Sequence, residues 1–211
     1  MAESPFPVIE DVYQFQCTMC GNCCTGDQIV RLDLYDLYRM ARFSGFEKTG
    51  GLFTSRLVEL TPIEPDLWLP RIRFRKHPFK FCPFLQNEWN DREELIGKCL
   101  LHPDQKPLVC SLAPVGRMVD FNQKTQTYVF VPPAPDCPGI NRSQENYLKT
   151  ATDAHRRSIQ LQDRFFAMME RLKIKTVQTK HWYRAFYNFN VQQPVTAVFA
   201  SREVLIHSIE T

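Results

Sequence analysis

The chain has no apolar run near the roughly 20 residues needed to cross a bilayer, so a membrane-spanning helix is not its organising feature. Its start, MAESPFPVIEDV, carries neither a basic head nor an apolar signal segment, and the expected compartment is the cytosol. A glycine-rich phosphate loop, a G-x-S-x-G elbow and an H-E-x-x-H helix are all missing, which sets aside P-loop, serine-hydrolase and zinc-protease chemistry. A doubly wound methyl-donor fold would need a glycine-rich turn after a strand, and there is none. The C-x3-C-x2-C opening of radical enzymes that cleave S-adenosylmethionine is absent as well. A net charge of +3 is too small to argue for nucleic acid. There is no internal repeat and no low-complexity segment.

What the chain does have is cysteine. It has 211 residues, 44% of them hydrophobic, enough to bury a core without staples, yet it carries eight cysteines. Four of them, Cys17, Cys20, Cys23 and Cys24, fall within the stretch FQCTMCGNCC, and Gly21 supplies the permissive backbone such a turn needs. Thiols spaced two residues apart in a tight turn converge on a metal ion or an iron–sulfur cluster. Successive side chains diverge, so the adjacent Cys23 and Cys24 are expected to serve neighbouring centres, or one of them to be spare. The other four, Cys82, Cys99, Cys110 and Cys137, lie in turn-like or proline-flanked contexts, with Pro83 and Pro138 directly following two of them. An even count also suits a disulfide framework. A reducing compartment, a core of adequate size and the crowding of the first four all favour ligation instead.

Eight thiolates satisfy two four-thiolate sites. The expected grouping is Cys82, Cys99, Cys110 and Cys137 in one, and Cys17, Cys20 and Cys23 in the other, with Cys24 bridging toward the second centre. Soft thiolates accept zinc or an iron–sulfur cluster, and spacing leaves both open. His102 could replace a cysteine ligand, although a lone imidazole is more often an ordinary surface residue.

The fold class expected is α+β: a small, irregular, metal-nucleated cysteine-cluster domain with short hairpins over 15–140, after a loose lead-in at 1–14. A mainly helical extension over 141–211 packs on it. Gln28–Leu32 reads as a strand, and Asp33 caps a helix bearing Leu34, Leu37, Tyr38 and Ala41, stopped at Gly45. Leu57–Leu60 reads as a helical turn and Leu67–Phe74 as a strand. Arg71, Arg73 and Arg75 alternate with Ile72 and Phe74, with Phe79 and Phe81 following. Cations among aromatics can bind single strands, but a half-buried charged strand is the plainer reading. Phe81–Leu85 and Leu95–Leu101 form a hairpin presenting Cys82 and Cys99, and a short helical or turn segment over Pro103–Cys110 delivers Cys110. Gly116–Phe121 and Thr127–Val131 form a second hairpin, and Pro132, Pro133 and Pro135 carry the chain back to Cys137. Beyond it, Asn141 and Gln144 suggest a capping arrangement for a helical run with Tyr147, Ala151, Ala154, Leu161, Phe165, Met168 and Leu172 on one face. His181–Phe189 is open between strand and helix. Pro194 opens a last helix carrying Val195, Val198, Phe199 and Leu205.

The run C-x2-C-x2-C-C, then Cys82 with Phe84 and Leu85, then Cys99 with Pro107 and Cys110, resembles the YkgJ-type cysteine-cluster family over about Phe15 to Gly139. That family is described as a zinc- or iron-chelating domain and is similar to the cysteine-rich part of flagellin lysine N-methylase. Where it usually reads Arg-Pro-x-x-Cys-Arg-x-Tyr-Pro, this chain has Lys106, Pro107, Leu108, Val109, Cys110, Ser111, Leu112, Ala113 and Pro114. The resemblance implies a metal-binding module in a structural, redox or metal-carrier role, with a protein partner in the carrier case. The alternative it implies is a modifying enzyme working beside the cluster. No acid–base pair of recognisable spacing accompanies the cysteines, which favours the module. Oligomeric state is not encoded in any pattern.

Overall fold

The computed structural model describes residues 5–26, 28–77, 79–120, 125–140, 142–173 and 179–209. Mixed helices and short antiparallel hairpins make it α+β. Strand β1 (Val12–Gln14) precedes a 3-10 turn at Asn22–Cys24 and helix α1 (Leu34–Phe43). Helix α2 (Gly50–Thr54) leads to the hairpin β2 (Val58–Glu64) and β3 (Leu67–Ile72), followed by the hairpin β4 (Leu85–Trp89) and β5 (Leu95–Cys99). Helix α3 (Leu108–Leu112) enters the hairpin β6 (Val115–Asp120) and β7 (Thr125–Phe130). Strand β8 (Glu145–Tyr147) then opens a helical series, α4 (Leu148–Ala154), α5 (Arg156–Lys173), α6 (Lys180–Phe186) and α7 (Val195–His207). All four two-stranded pairings are antiparallel.

Helix α1 forms where its sequence signals place it. Asp33 accepts from the Asp36 N–H at 2.8 Å while the Asp36 carboxylate accepts from the Asp33 N–H at 3.2 Å, a reciprocal capping box. Leu34, Leu37 and Ala41 are fully buried on the face predicted for them. Gly45, at φ +73°, ends the helix in the left-handed region.

Several expectations change. Leu57–Leu60 is not a helical turn: Val58 and Leu60 point inward on β2 while Glu59 faces out toward Arg71, so cross-strand pairing overrides local propensity. Gln28–Leu32 makes only a single bridge, Arg31 to Arg71, beside β3, where Pro70 has no N–H to extend a ladder. The first cysteine hairpin begins later than predicted. Its strands run into the polar stretch Gln86–Glu88, because both faces there meet solvent, and Cys82 stands three residues before β4. The turn of the β6–β7 hairpin lies partly outside the described residues, as does Asn141 and with it the expected cap. Tyr147 is in a strand and 53% exposed instead of on a helical face. It pairs with Val12, so part of the lead-in is fixed as strand β1. Helix α6 resolves the ambiguous aromatic run, capped by Thr179.

Residues on both sides of residue 140 share the core. Leu37, Met40 and Leu52 from the N-terminal section form one continuous apolar cluster with Phe165, Tyr187 and Phe199 from the C-terminal section. Arg117 of β6 pairs with Asp163 of α5, and Tyr187 Oη donates to the Trp68 carbonyl at 3.1 Å, so polar ties also cross that line. Cys82 is buried in the cluster, with Cys24, Cys99 and Cys110 packed against it.

Candidate metal centre

The cysteine turn is held by backbone contacts to three separate parts of the chain. Gly21, at φ +76°, begins the 3-10 turn, and the Cys24 N–H closes it on the Gly21 carbonyl at 2.8 Å. The Gly97 N–H on β5 donates to the Met19 carbonyl at 2.6 Å. The Cys82 N–H donates to the Cys24 carbonyl at 2.7 Å, which places a cysteine distant in sequence directly against the turn. On the other side, Gln16 N–H donates to Gly139 O at 3.1 Å and the Asn22 side-chain amide donates to Asp136 O at 3.1 Å, flanking Cys137. A side-chain carbon at Gly139 would sit 2.3 Å from the Gln16 carbonyl oxygen, so only glycine permits this approach.

Cys110 arrives differently. The buried Asp36 carboxylate of α1 accepts from the Leu108 N–H at 3.0 Å and pairs with Arg39 at 3.0 Å. Arg39 in turn donates to the Lys106 carbonyl at 2.7 Å and to the Asp104 carbonyl at 3.0 Å. One side chain and its partner thereby dock both the loop before α3 and the first turn of α3 onto α1. Asp36 and Arg39 were not singled out from the sequence; the i, i+3 series Asp33, Asp36, Arg39 was the available signal.

All eight cysteines are free thiols, so the disulfide framework is not what the fold contains. Their mutual influence sorts them into two groups. The Cys24 thiol is lowered by its hydrogen bond with Cys23, but the hydrogen bond with Cys82, burial and the neighbouring Cys82 and Cys99 outweigh this and push it up to about 12. Burial, then Cys24 and Asp36, raise Cys110, with Cys23 and Cys99 adding to the effect. Burial raises Cys137, with its sulfur neighbours being Cys20, Cys23 and Cys17. The hydrogen bond to Cys24 raises Cys23, followed by burial. Cys24 is thus linked with Cys82, Cys99 and Cys110, and Cys137 with Cys17, Cys20 and Cys23, where the loop at 136–139 folds back over residues 16–22. Cys23 belongs to both sets through its approach to Cys24 and its influence on Cys110.

The adjacent cysteines do not diverge as expected. Their sulfurs stand 4.0 Å apart. His102 is exposed, and its backbone N–H donates to Cys99 O at 3.0 Å. Among the described residues, no three or more His, Cys, Asp or Glu side chains are gathered tightly enough to hold an ion as they stand. The donor chemistry nevertheless suits a thiophilic group, and the Thr18 hydroxyl, next to Cys17, is buried without a hydrogen-bond partner among the described residues.

The basic and aromatic strip is tied up locally. Arg71 reaches Glu59 at 2.7 Å, Arg73 lies 3.8 Å from the same carboxylate, and Arg75 sits over the Phe81 ring. Among the described residues, no helix is long and apolar enough to cross a membrane. No family model, no curated protein and no solved structure matches this chain.

Proposed function

We propose that this protein binds zinc or an iron–sulfur cluster through its eight cysteine thiolates, arranged as two sets of four that meet at Cys23 and Cys24. The observation that carries the reading is the convergence of cysteines remote in sequence. Cys82, Cys99 and Cys110 approach Cys24, and Cys137 approaches Cys17, Cys20 and Cys23, with no disulfide among them. The resemblance to the YkgJ-type domain supports the same conclusion.

At Cys24, Cys110 and Cys137, burial and neighbouring sulfurs oppose bare thiolates. A cation supplies the missing counter-charge, and ligation displaces the thiol protons. Zinc would supply a closed structural tie, whereas an iron–sulfur cluster would supply one-electron transfer. The chain's own contribution is to fix the sulfurs: Gly21 and Gly97 allow the turn to rest on β5, and Asp36 positions the first turn of α3. The role proposed is structural, redox or metal-carrying, with a protein partner in the last case.

The test is to purify the protein without oxygen, record its absorption spectrum, and measure iron, acid-labile sulfide and zinc per chain. A brown protein with sulfide identifies a cluster, and a colourless one holding zinc identifies a zinc site. Protein prepared in this way with neither metal nor sulfide would overturn the proposal.

A further inference from the structure

Away from the sulfurs, a groove of two joined lobes runs along the outer face of α1. The larger lobe, about 470 Å³, lies over Tyr35, Tyr38, Arg42 and Phe43, and the smaller, about 240 Å³, reaches to Ser111, His155 and Arg157. Tyr35, Arg39 and Asp104 line both lobes, which places them side by side. Sizes of this order suit a small organic ligand.

The two lobes offer different chemistry. In the larger, the Tyr35 and Tyr38 rings lie nearly parallel, 6.3 Å apart, and present aromatic surface with Phe43. In the smaller, two guanidinium groups and an imidazole surround a polar space that includes the Ser111 and Ser158 side chains. Arg39 lies 4.6 Å and Arg157 6.0 Å from the Tyr35 ring centroid, so one ring orders both cations. Among the described residues, neither Arg157 nor Arg42 pairs with a carboxylate, and the buried Arg39 Nε has no acceptor. The lining carries Arg39, Arg42 and Arg157 with the carboxylate of Asp104; Arg39 is already paired with the buried Asp36, which leaves Arg42 and Arg157 as the cations without a carboxylate partner among the described residues. Burial first, then the nearby Arg39, holds the His155 imidazole below its ordinary pKa.

We infer that this groove binds a small aromatic phosphate, its phosphate between Arg39, Arg157 and His155 and its ring against Tyr35 and Tyr38. Guanidinium groups match the planar spread of phosphate oxygens, and an aromatic ring stacks on tyrosine without needing specific polar partners. The inference is independent of what the cysteines hold.

Titration calorimetry on the full chain, with metal content measured in each sample, tests it. The probes are adenosine 5′-monophosphate, O-phosphotyrosine, inorganic phosphate and adenosine, so that heterocyclic and phenolic rings are distinguished and each half of the ligand is also tried alone. At least one aromatic phosphate should bind ten-fold or more tightly than either phosphate or adenosine. Arg157→Gln, at an exposed position, and Tyr35→Leu should each weaken that binding at least five-fold. Arg156→Gln, one residue away and paired with Asp153, should leave it unchanged. Absence of binding by both aromatic phosphates overturns the inference, as does full binding in Arg157→Gln or an equal loss in Arg156→Gln. Loss of metal without loss of ligand binding would count against the cysteine proposal alone.

Discussion

A side-chain carbon on Gly97 would lie 2.5 Å from the Gly21 Cα and 2.8 Å from its nitrogen, so the cysteine turn and the β4–β5 hairpin touch backbone to backbone. This contact fixes the distance from Cys17–Cys24 to Cys99, two residues beyond Gly97. Gly97→Ala should therefore destabilise the protein by about 1–3 kcal/mol through overpacking. It should also lower the bound metal per chain, measured on the purified variant. Denaturant unfolding reads the first effect, and unchanged stability together with full metal content would show that the contact is dispensable.

The two-set grouping predicts how metal is lost. Cys24→Ser and Cys137→Ser should each remove about half of the bound metal, and the double variant nearly all of it, since each four-thiolate site loses a ligand independently. Elemental analysis decides. Complete loss in each single variant would point to one shared centre.

Asp33 and Asp36 give the protein a signature in pH. Burial first, and for Asp33 the adjacent Asp36 charge, raise both carboxyls above their ordinary value of 3.8, although Arg39 pulls Asp36 back. The folded state then holds protons that the unfolded chain has released. Stability from these groups is fully present below pH 3.8 and is lost as pH rises through the folded values, by at most about 1.4 kcal/mol per unit for each proton. Asn caps a helix as well as Asp, so Asp33→Asn should preserve α1 and flatten this dependence. Unfolding free energies at several pH values check it, and an unaltered slope would refute the assignment.

Two apolar clusters, each drawing residues from both sides of residue 140, predict one unfolding transition. Phe165 is 1% exposed, and Phe165→Ala should cost about 3–5 kcal/mol. The loss should move helical circular dichroism and tryptophan fluorescence together, with Trp68 on β3, packed against the core, reporting on the N-terminal section. Separated midpoints would instead divide the chain near residue 140.

Local signals with a local cause were legible without coordinates. Asp33 as cap, Gly45 as stop, the apolar face of α1, strand β3 and the helix opened by Pro194 all depend on neighbours within a turn or two. Strand β2 was misread because its partner, not its own residues, made it a strand. The cysteines were legible as chemistry but not as geometry.

The amino-acid order alone determined that eight thiols are present, that four crowd one turn and that Gly21 lets the backbone make it, because residue type and near-neighbour sterics need no knowledge of the rest. Tertiary structure alone decided which sulfur faces which. Cys137 joins the first turn through the Gln16–Gly139 contact, and Cys110 follows α3, which Asp36 anchors. Both placements depend on a few hydrogen bonds between segments far apart in the chain, and no local spacing rule reaches that far.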